Sequence, residues 1–200
     1  MVMNRKELAP GIFVYSDVIE NFNTLCSDIE EGMVSARMEW SPSSIKSGET
    51  VKIDTDYRDT MAITVPYNEN IIENYSNLSE AFSLSLSNIF LSAFRPAEFD
   101  YKSEHNLETT WHDGYSILKY GKGQKFTNHV DDHKDYHRRM SLVYYINDDY
   151  TGGEIRFPRF GITYKPKANE LLIFPSTYVY NHSVLPVTEG IRYAVVSWLR

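Results

Sequence analysis

The 200-residue chain has one cysteine, Cys26, so no disulfide can form within it and its stability must come from packing. That scarcity suits a reducing compartment, and Cys26 falls at an apolar helical spacing, as a small core residue would. Basic residues are also in short supply: 20 Lys and Arg stand against 27 Asp and Glu, a formal charge of -7. Binding nucleic acid needs a basic face to meet phosphates, so that partner is not expected. A local cluster of Lys122, Lys125, Lys134, Arg138 and Arg139 reads as a solvated rim. No apolar stretch approaches the ~18 residues of a membrane span. The opening MVMNRKELAPG has neither an apolar core nor a small-residue cleavage site. A soluble, cytoplasmic protein with no membrane partner is the expectation. Internal repeats and low-complexity tracts are missing as well, and the length suits one domain over residues 1–200.

What is present is a folded composition, because 42% hydrophobic and 14% aromatic residues exclude a disordered chain. Residues 10–16 read as a short strand, with Ser16 or Asp17 placed to cap a helix beginning there. Val18, Ile19, Phe22, Leu25, Cys26, Ile29 and Met33 recur at three- and four-residue steps, which predicts an amphipathic helix over 17–33 with Gly32 near its end. The Ser-rich run from 35 to 60 predicts loop with a short strand near 50–54. Ile71, Ile72, Tyr75, Leu78, Phe82, Leu86, Ile89, Phe90 and Phe94 form one stripe, predicting the longest helix over 71–94, stopped by Pro96. Both helices would buttress the outer face of a sheet.

After residue 114 the pattern changes to eight short apolar or alternating runs separated by turn residues, with no helical stretch between them. Such spacing points to a sandwich or jelly roll and away from a parallel α/β sheet. The fold expected is mainly β with N-terminal helices: a double-stranded β-helix (jelly roll) core over 115–200, buttressed by two or more α-helices. Residues 1–110 would supply those helices and flanking strands.

Two stretches of the core carry chemistry. The first, residues 120–131, offers His129 and Asp131; residues i and i+2 of a strand share a face, so both can reach one ion. The second offers His182 and, ten residues on, Arg192. Two imidazoles and one carboxylate form the facial set of non-haem Fe(II) oxygenases, which leaves coordination positions open. The planar guanidinium of Arg192 suits bidentate binding of a carboxylate. A His-x-Asp pair arises by chance in polar loops, and Arg192 has a plainer reading as a surface strand residue, so the inference rests on the combination. His133 and His137 imitate a metal pair but lack a third partner at fixed spacing, which assigns them to a rim. Asp132 faces the wrong way along a strand to compete with Asp131.

In the segments YGKGQKFTNHVD, SLVYYINDDYTGGEIRFP and FPSTYVYNHSVLPVTEGIRYAVVSWL the chain resembles the prolyl 4-hydroxylase branch of the 2-oxoglutarate and Fe(II)-dependent dioxygenases, in register over residues 115–200. The resemblance implies Fe(II) on His129, Asp131 and His182, with 2-oxoglutarate and dioxygen as cosubstrates and ascorbate as a candidate reductant. It implies Arg192 on the distal carboxylate of 2-oxoglutarate, with the Tyr145 hydroxyl beside it. Tyr120 matches a tyrosine that reaches the cosubstrate pocket, or else packs in its strand. Arg138 and Trp198 match positions lining the substrate cleft, although Trp198 also reads as core. Relatives often carry Tyr where this chain has Phe126, a departure that bears on the substrate. Gly152 and Gly153 read as a turn into GEIRFP.

The activity implied is hydroxylation of an unactivated C–H bond, first of a prolyl residue in a peptide or protein, with succinate and carbon dioxide as co-products. Alternatives keep the cofactors and change the target to a free amino acid, another protein side chain or a small metabolite. A further alternative is a non-catalytic jelly-roll binding module, which has no need of Arg192.

Overall fold

In the computed structural model, which describes residues 4–47, 50–67, 77–135 and 137–200, the short apolar runs become antiparallel strands. In chain order these are β1 (Arg5–Ala9), β2 (Ile12–Ser16), α1 (Leu25–Ser35), β3 (Ser41–Pro42), β4 (Ile45–Ser47), β5 (Thr50–Lys52), β6 (Met61–Val65) and α2 (Leu78–Glu104). Next come β7 (His112–Tyr120), β8 (Phe126–His129), β9 (Met140–Tyr145), β10 (Thr151–Gly152), β11 (Ile155–Phe157) and β12 (Ile162–Tyr164). The chain closes with β13 (Glu170–Pro175), β14 (His182–Val184), β15 (Val187–Glu189) and β16 (Arg192–Leu199). Eight strands form a major sheet in the order β1-β2-β13-β9-β16-β7-β6-β3, and four form a minor sheet, β12-β11-β14-β8. This is the expected jelly roll. Its major sheet also draws four strands from the first 65 residues.

Two apolar layers result. On the outer face of the major sheet, Leu142, Tyr144, Ile117 and Val195 pack with Ile29 and Met33 of α1 and Phe90, Phe94 and Tyr101 of α2. Between the sheets, Val143, Tyr145, Leu118 and Val196 meet Ile155, Phe157 and Val184. Residues 142 to 145 of β9 thus alternate between the two layers, as a pleated strand covered on both faces must.

The helices depart from expectation. The N-terminal helix starts at Leu25, with Thr24 at its N-cap, and not near Ser16 or Asp17. Asp17 and Asn21 adopt left-handed backbone, and Asn169 takes the hydrogen bonds a helix would use: its Oδ1 accepts from Ile19 N at 2.8 Å and its Nδ2 donates to Ile19 O at 3.0 Å. Apolar spacing read Val18 and Ile19 as one more turn; in fact they pack on the core from an irregular segment. Gly32 lies within α1 and does not end it; a Cβ there would collide with the Phe82 ring of α2, so glycine lets the two helices touch.

Pro96 does not stop α2, which continues to Glu104. An interior proline costs about 3 kcal/mol. Phe94 and Tyr101, fully buried on either side of it, each contribute about 1.5–3 kcal/mol by leaving water, so the helix runs on. Leu78 and Ile89, assigned to its apolar stripe, are exposed, and the buried face continues through Ala97, Glu98 and Tyr101. Ile71, Ile72 and Tyr75 lie outside the described residues. The run from 35 to 60 holds more strand than expected, β3 and the β4–β5 hairpin. Among the described residues, no helix is long and apolar enough to cross a membrane.

Candidate metal and cosubstrate site

The minor sheet sets the site. In the β8–β14 ladder His129 and His182 stand directly opposite each other, so residues far apart in sequence project side by side. Their ring centroids are 4.2 Å apart. Asp131 follows in the bend beyond β8, with Oδ1 3.5 Å from His129 Nε2 and Oδ2 3.7 Å from His182 Nε2. One ligand atom from each lies within 4.8 Å of the others, an arrangement that could hold one metal ion.

Hydrogen bonds fix which nitrogens face inward. His129 Nδ1 sits 2.8 Å from Thr127 O, and His182 Nδ1 3.1 Å from Tyr180 O. A carbonyl only accepts, so each Nδ1 carries the proton and each Nε2 turns a lone pair toward Asp131. Burial, aided by the neighbouring His129, pushes His182 down to about 4, leaving it neutral and ready to ligate. Burial by itself would raise Asp131, but His182, His129 and the Ser141 hydroxyl outweigh it and hold the carboxyl below the usual range. Ser141 Oγ donates to Asp131 Oδ2 at 2.7 Å and meets Ser176 Oγ at 2.7 Å, tying the carboxylate to the major sheet. Two inward lone pairs and a carboxylate with no proton between them make an electron-rich point suited to a cation.

Arg192 opens β16 opposite Tyr120, the last residue of β7. It is 1% exposed, its Nε and Nη1 have no hydrogen-bond partner, and no carboxylate among the described residues pairs with it. Tyrosines surround it: its guanidinium carbon lies 4.8 Å from the Tyr120 ring centre and 5.2 Å from that of Tyr145. Among the described residues, the buried hydroxyls of Tyr145 and Tyr150 have no hydrogen-bond partner. Burial pushes both phenols up, so they stay neutral and cannot balance the cation. Burial also works against the Arg192 charge, but Tyr150, Tyr120 and Tyr145 outweigh it. Gly153, at φ 66°, is what allows this approach; a Cβ there would stand 3.0 Å from Arg192 Cδ.

Arg192, Tyr120, His129, Asp131, His182, Phe126 and Trp198 line one cavity between the sheets, about 440 Å³ free of protein atoms with its mouth included. Against Trp198 the Arg138 guanidinium stacks 3.7 Å from the ring centre while its Nε donates to Asp113 Oδ2 at 2.9 Å. Phe126 lies flat on His129, ring centres 3.5 Å apart. His133 and His137 stay outside the triad; His137 is exposed and His133 Nδ1 accepts from Asp135 N. Asp132 turns away from the triad, its Oδ1 accepting from His133 N and Arg138 N.

Sequence reasoning missed three contributors. Ser141 looked like one polar residue in an apolar strand. Tyr150 sits in DDYTGG, which reads as a turn, and Arg58, which also lines the cavity, sits in a polar run. Only Ser141 carried a signal, as a buried-strand hydroxyl needing a partner.

The family described as the 2OG-Fe(II) oxygenase superfamily matches residues 115–200. A PKHD-type hydroxylase of Synechococcus sp. is 33% identical over 94 residues, 42% of this chain and 41% of that relative, so the chain spans about two fifths of the length of the curated relatives it matches. A Pseudomonas putida prolyl-4-hydroxylase superposes with a TM-score of 0.69 at 19% identity, covering 95% of this chain and 92% of that one. A Trichoplax adhaerens prolyl hydroxylase, in complex with a hypoxia inducible factor oxygen degradation domain peptide fragment, superposes with a TM-score of 0.65 at 17% identity, covering 94% and 83%. These likenesses are of fold. Members of the matched superfamily use Fe(II), 2-oxoglutarate and dioxygen. Residues 115–200 thus match the 2OG-Fe(II) oxygenase superfamily, and the fold around them is that of the prolyl hydroxylases.

Proposed function

We propose that this chain hydroxylates an unactivated C–H bond, that of a prolyl residue in a peptide or protein, with Fe(II), 2-oxoglutarate and dioxygen. The observation that carries the reading is Arg192, a fully buried cation with free donors in the same cavity as the triad. An unpaired charge in a dry site is costly, and a dicarboxylic acid reaching from the triad would remove that cost.

His129, Asp131 and His182 would hold the ferrous ion. Arg192 would bind the distal carboxylate of 2-oxoglutarate, with the Tyr145 and Tyr150 hydroxyls as further donors and the Tyr120 ring as a wall. Once bound, the metal, cosubstrate and dioxygen supply the oxidising power to break an unactivated C–H bond, with succinate and carbon dioxide as co-products. The protein's own part is placement. Ser141 fixes the Asp131 carboxylate, the two backbone carbonyls fix the imidazole tautomers, and the apolar walls of Leu118, Val143 and Val196 exclude water. The stacked Arg138 and Trp198 would offer a flat platform to a peptide. A peptide substrate is favoured by likeness to a fold neighbour whose structure holds one.

The test is succinate release by the iron-loaded protein with 2-oxoglutarate in air, followed by mass spectrometry of proline-containing peptides for a gain of one oxygen. Wild-type turnover that is lost in both His182→Ala and Arg192→Ala is expected. Equal behaviour of all three proteins would refute the assignment.

A further inference from the structure

Among the described residues, Arg58 is the one cavity-lining cation with no role in the proposed iron and 2-oxoglutarate chemistry, on which this inference rests. It reaches the cavity because residue 58 bridges Phe126, the first residue of β8, across the edge of the minor sheet. Its guanidinium carbon lies 4.9 Å from the Phe126 ring centre, the same ring that stacks on His129. Among the described residues its Nε is buried with no hydrogen-bond partner, and Nη1 reaches the Ser44 carbonyl at a long 3.4 Å.

Two acids close to it in sequence are committed elsewhere. Asp59, the next residue, accepts from Gln124 Nε2 at 2.8 Å, and Asp54 accepts from Lys52 Nζ at 2.8 Å. No carboxylate among the described residues forms an ion pair with Arg58. Asp131, which does feel its charge, is turned toward the two imidazoles.

A charge count then points outward from the protein. With the cosubstrates in place, the ferrous ion, Asp131, the two carboxylates of 2-oxoglutarate and Arg192 cancel. Arg138 has Asp113, which also meets Arg200. Arg58 is left over, in a place where burial disfavours an uncompensated cation. An anion arriving with the substrate would be the missing partner, held by a charge-assisted fork.

We propose that Arg58 selects substrates carrying a carboxylate close to the carbon that is hydroxylated. Its source is either an Asp or Glu side chain flanking the reacting residue or the carboxylate of a small acid. Either anion would approach over the Phe126 edge, on a different wall of the cavity from Arg192.

Two probe pairs separate the sources: proline-centred nonapeptides flanked by Asp or by Asn, and N-acetylproline or its amide. Binding to the full chain, loaded anaerobically with Fe(II) and 2-oxoglutarate, can be followed by calorimetric titration, and KM and kcat measured in air. In one pair or both, the acid should bind at least tenfold more tightly than its neutral isostere. Arg58→Gln should bring that ratio close to one through KM, and Arg58→Lys should restore part of it. Arg58→Glu should reverse the preference in favour of a Lys-flanked nonapeptide, which a misfolded variant could not do. The proposal is overturned if acid and neutral probes differ by less than twofold with the wild type, including the case where neither binds, or if the ratio survives Arg58→Gln. Substrate-free succinate release by the wild type reports separately on the iron and 2-oxoglutarate reading.

Discussion

Tyr144 and Tyr145 are neighbours on β9, both fully buried, and their hydroxyls have opposite fates. Tyr144 points to the helices and donates to Asn169 Oδ1 at 3.0 Å; Tyr145 points between the sheets, beside Arg192, and has no partner. On the helix side the protein completes this bond itself. On the cavity side it leaves donors open next to a naked cation, and a buried donor without a partner costs about 1–3 kcal/mol. The difference separates a hydroxyl placed for stability from one placed for a ligand.

The severest break in that contrast is at the triad. Asp131→Ala should abolish turnover and weaken Fe(II) or Mn(II) affinity by more than the ~10–100-fold typical of losing an outer partner, which calorimetric titration would read. Next comes Arg192→Leu, which removes the open donors along with the charge. A charge-assisted contact of roughly 1.5–3 kcal/mol should raise the 2-oxoglutarate KM about tenfold or more without lowering the melting temperature of the apo protein, because a buried unpaired cation goes with it.

Acid should act through His182. Its folded value, about 4 against an ordinary 6.5, means that the unfolded chain takes up a proton the folded cavity refuses. Stability of the metal-free protein is therefore full above pH 6.5 and is lost as pH falls from 6.5 to about 4. Urea midpoints across that range should show a step that His182→Gln flattens. The gentlest test uses the tyrosine pair itself. Tyr144→Phe should cost about 1 kcal/mol of stability and leave the 2-oxoglutarate KM alone. Tyr145→Phe should leave stability unchanged and raise that KM about fivefold. The same response from both variants would erase the contrast.

How much could be read beforehand depends on how local each signal is. The β runs after residue 114 were legible because strand alternation and turn residues are near-neighbour properties. His129 and Asp131 were legible as a same-face pair for the same reason. Helix ends were misread where a distant partner outbid the local pattern: Asn169 unwound residues 17–21, and burial of Phe94 and Tyr101 carried α2 through Pro96. Arg58 and Tyr150 were hidden because nothing nearby in sequence distinguishes a loop cation that ends up in a cavity or a turn phenol that ends up beside a buried arginine.

The sequence by itself determined the periodicities, and with them a β-rich core behind two helices, together with the residue types able to form a facial triad and an anion fork. Only the tertiary structure decided that His182 stands opposite His129, that Arg192 is sealed among neutral phenols, and that Arg58 enters the same cavity. The reason is physical: composition sets which groups exist, while strand register and burial set which of them share a low-dielectric space, where an unpaired charge becomes a binding site.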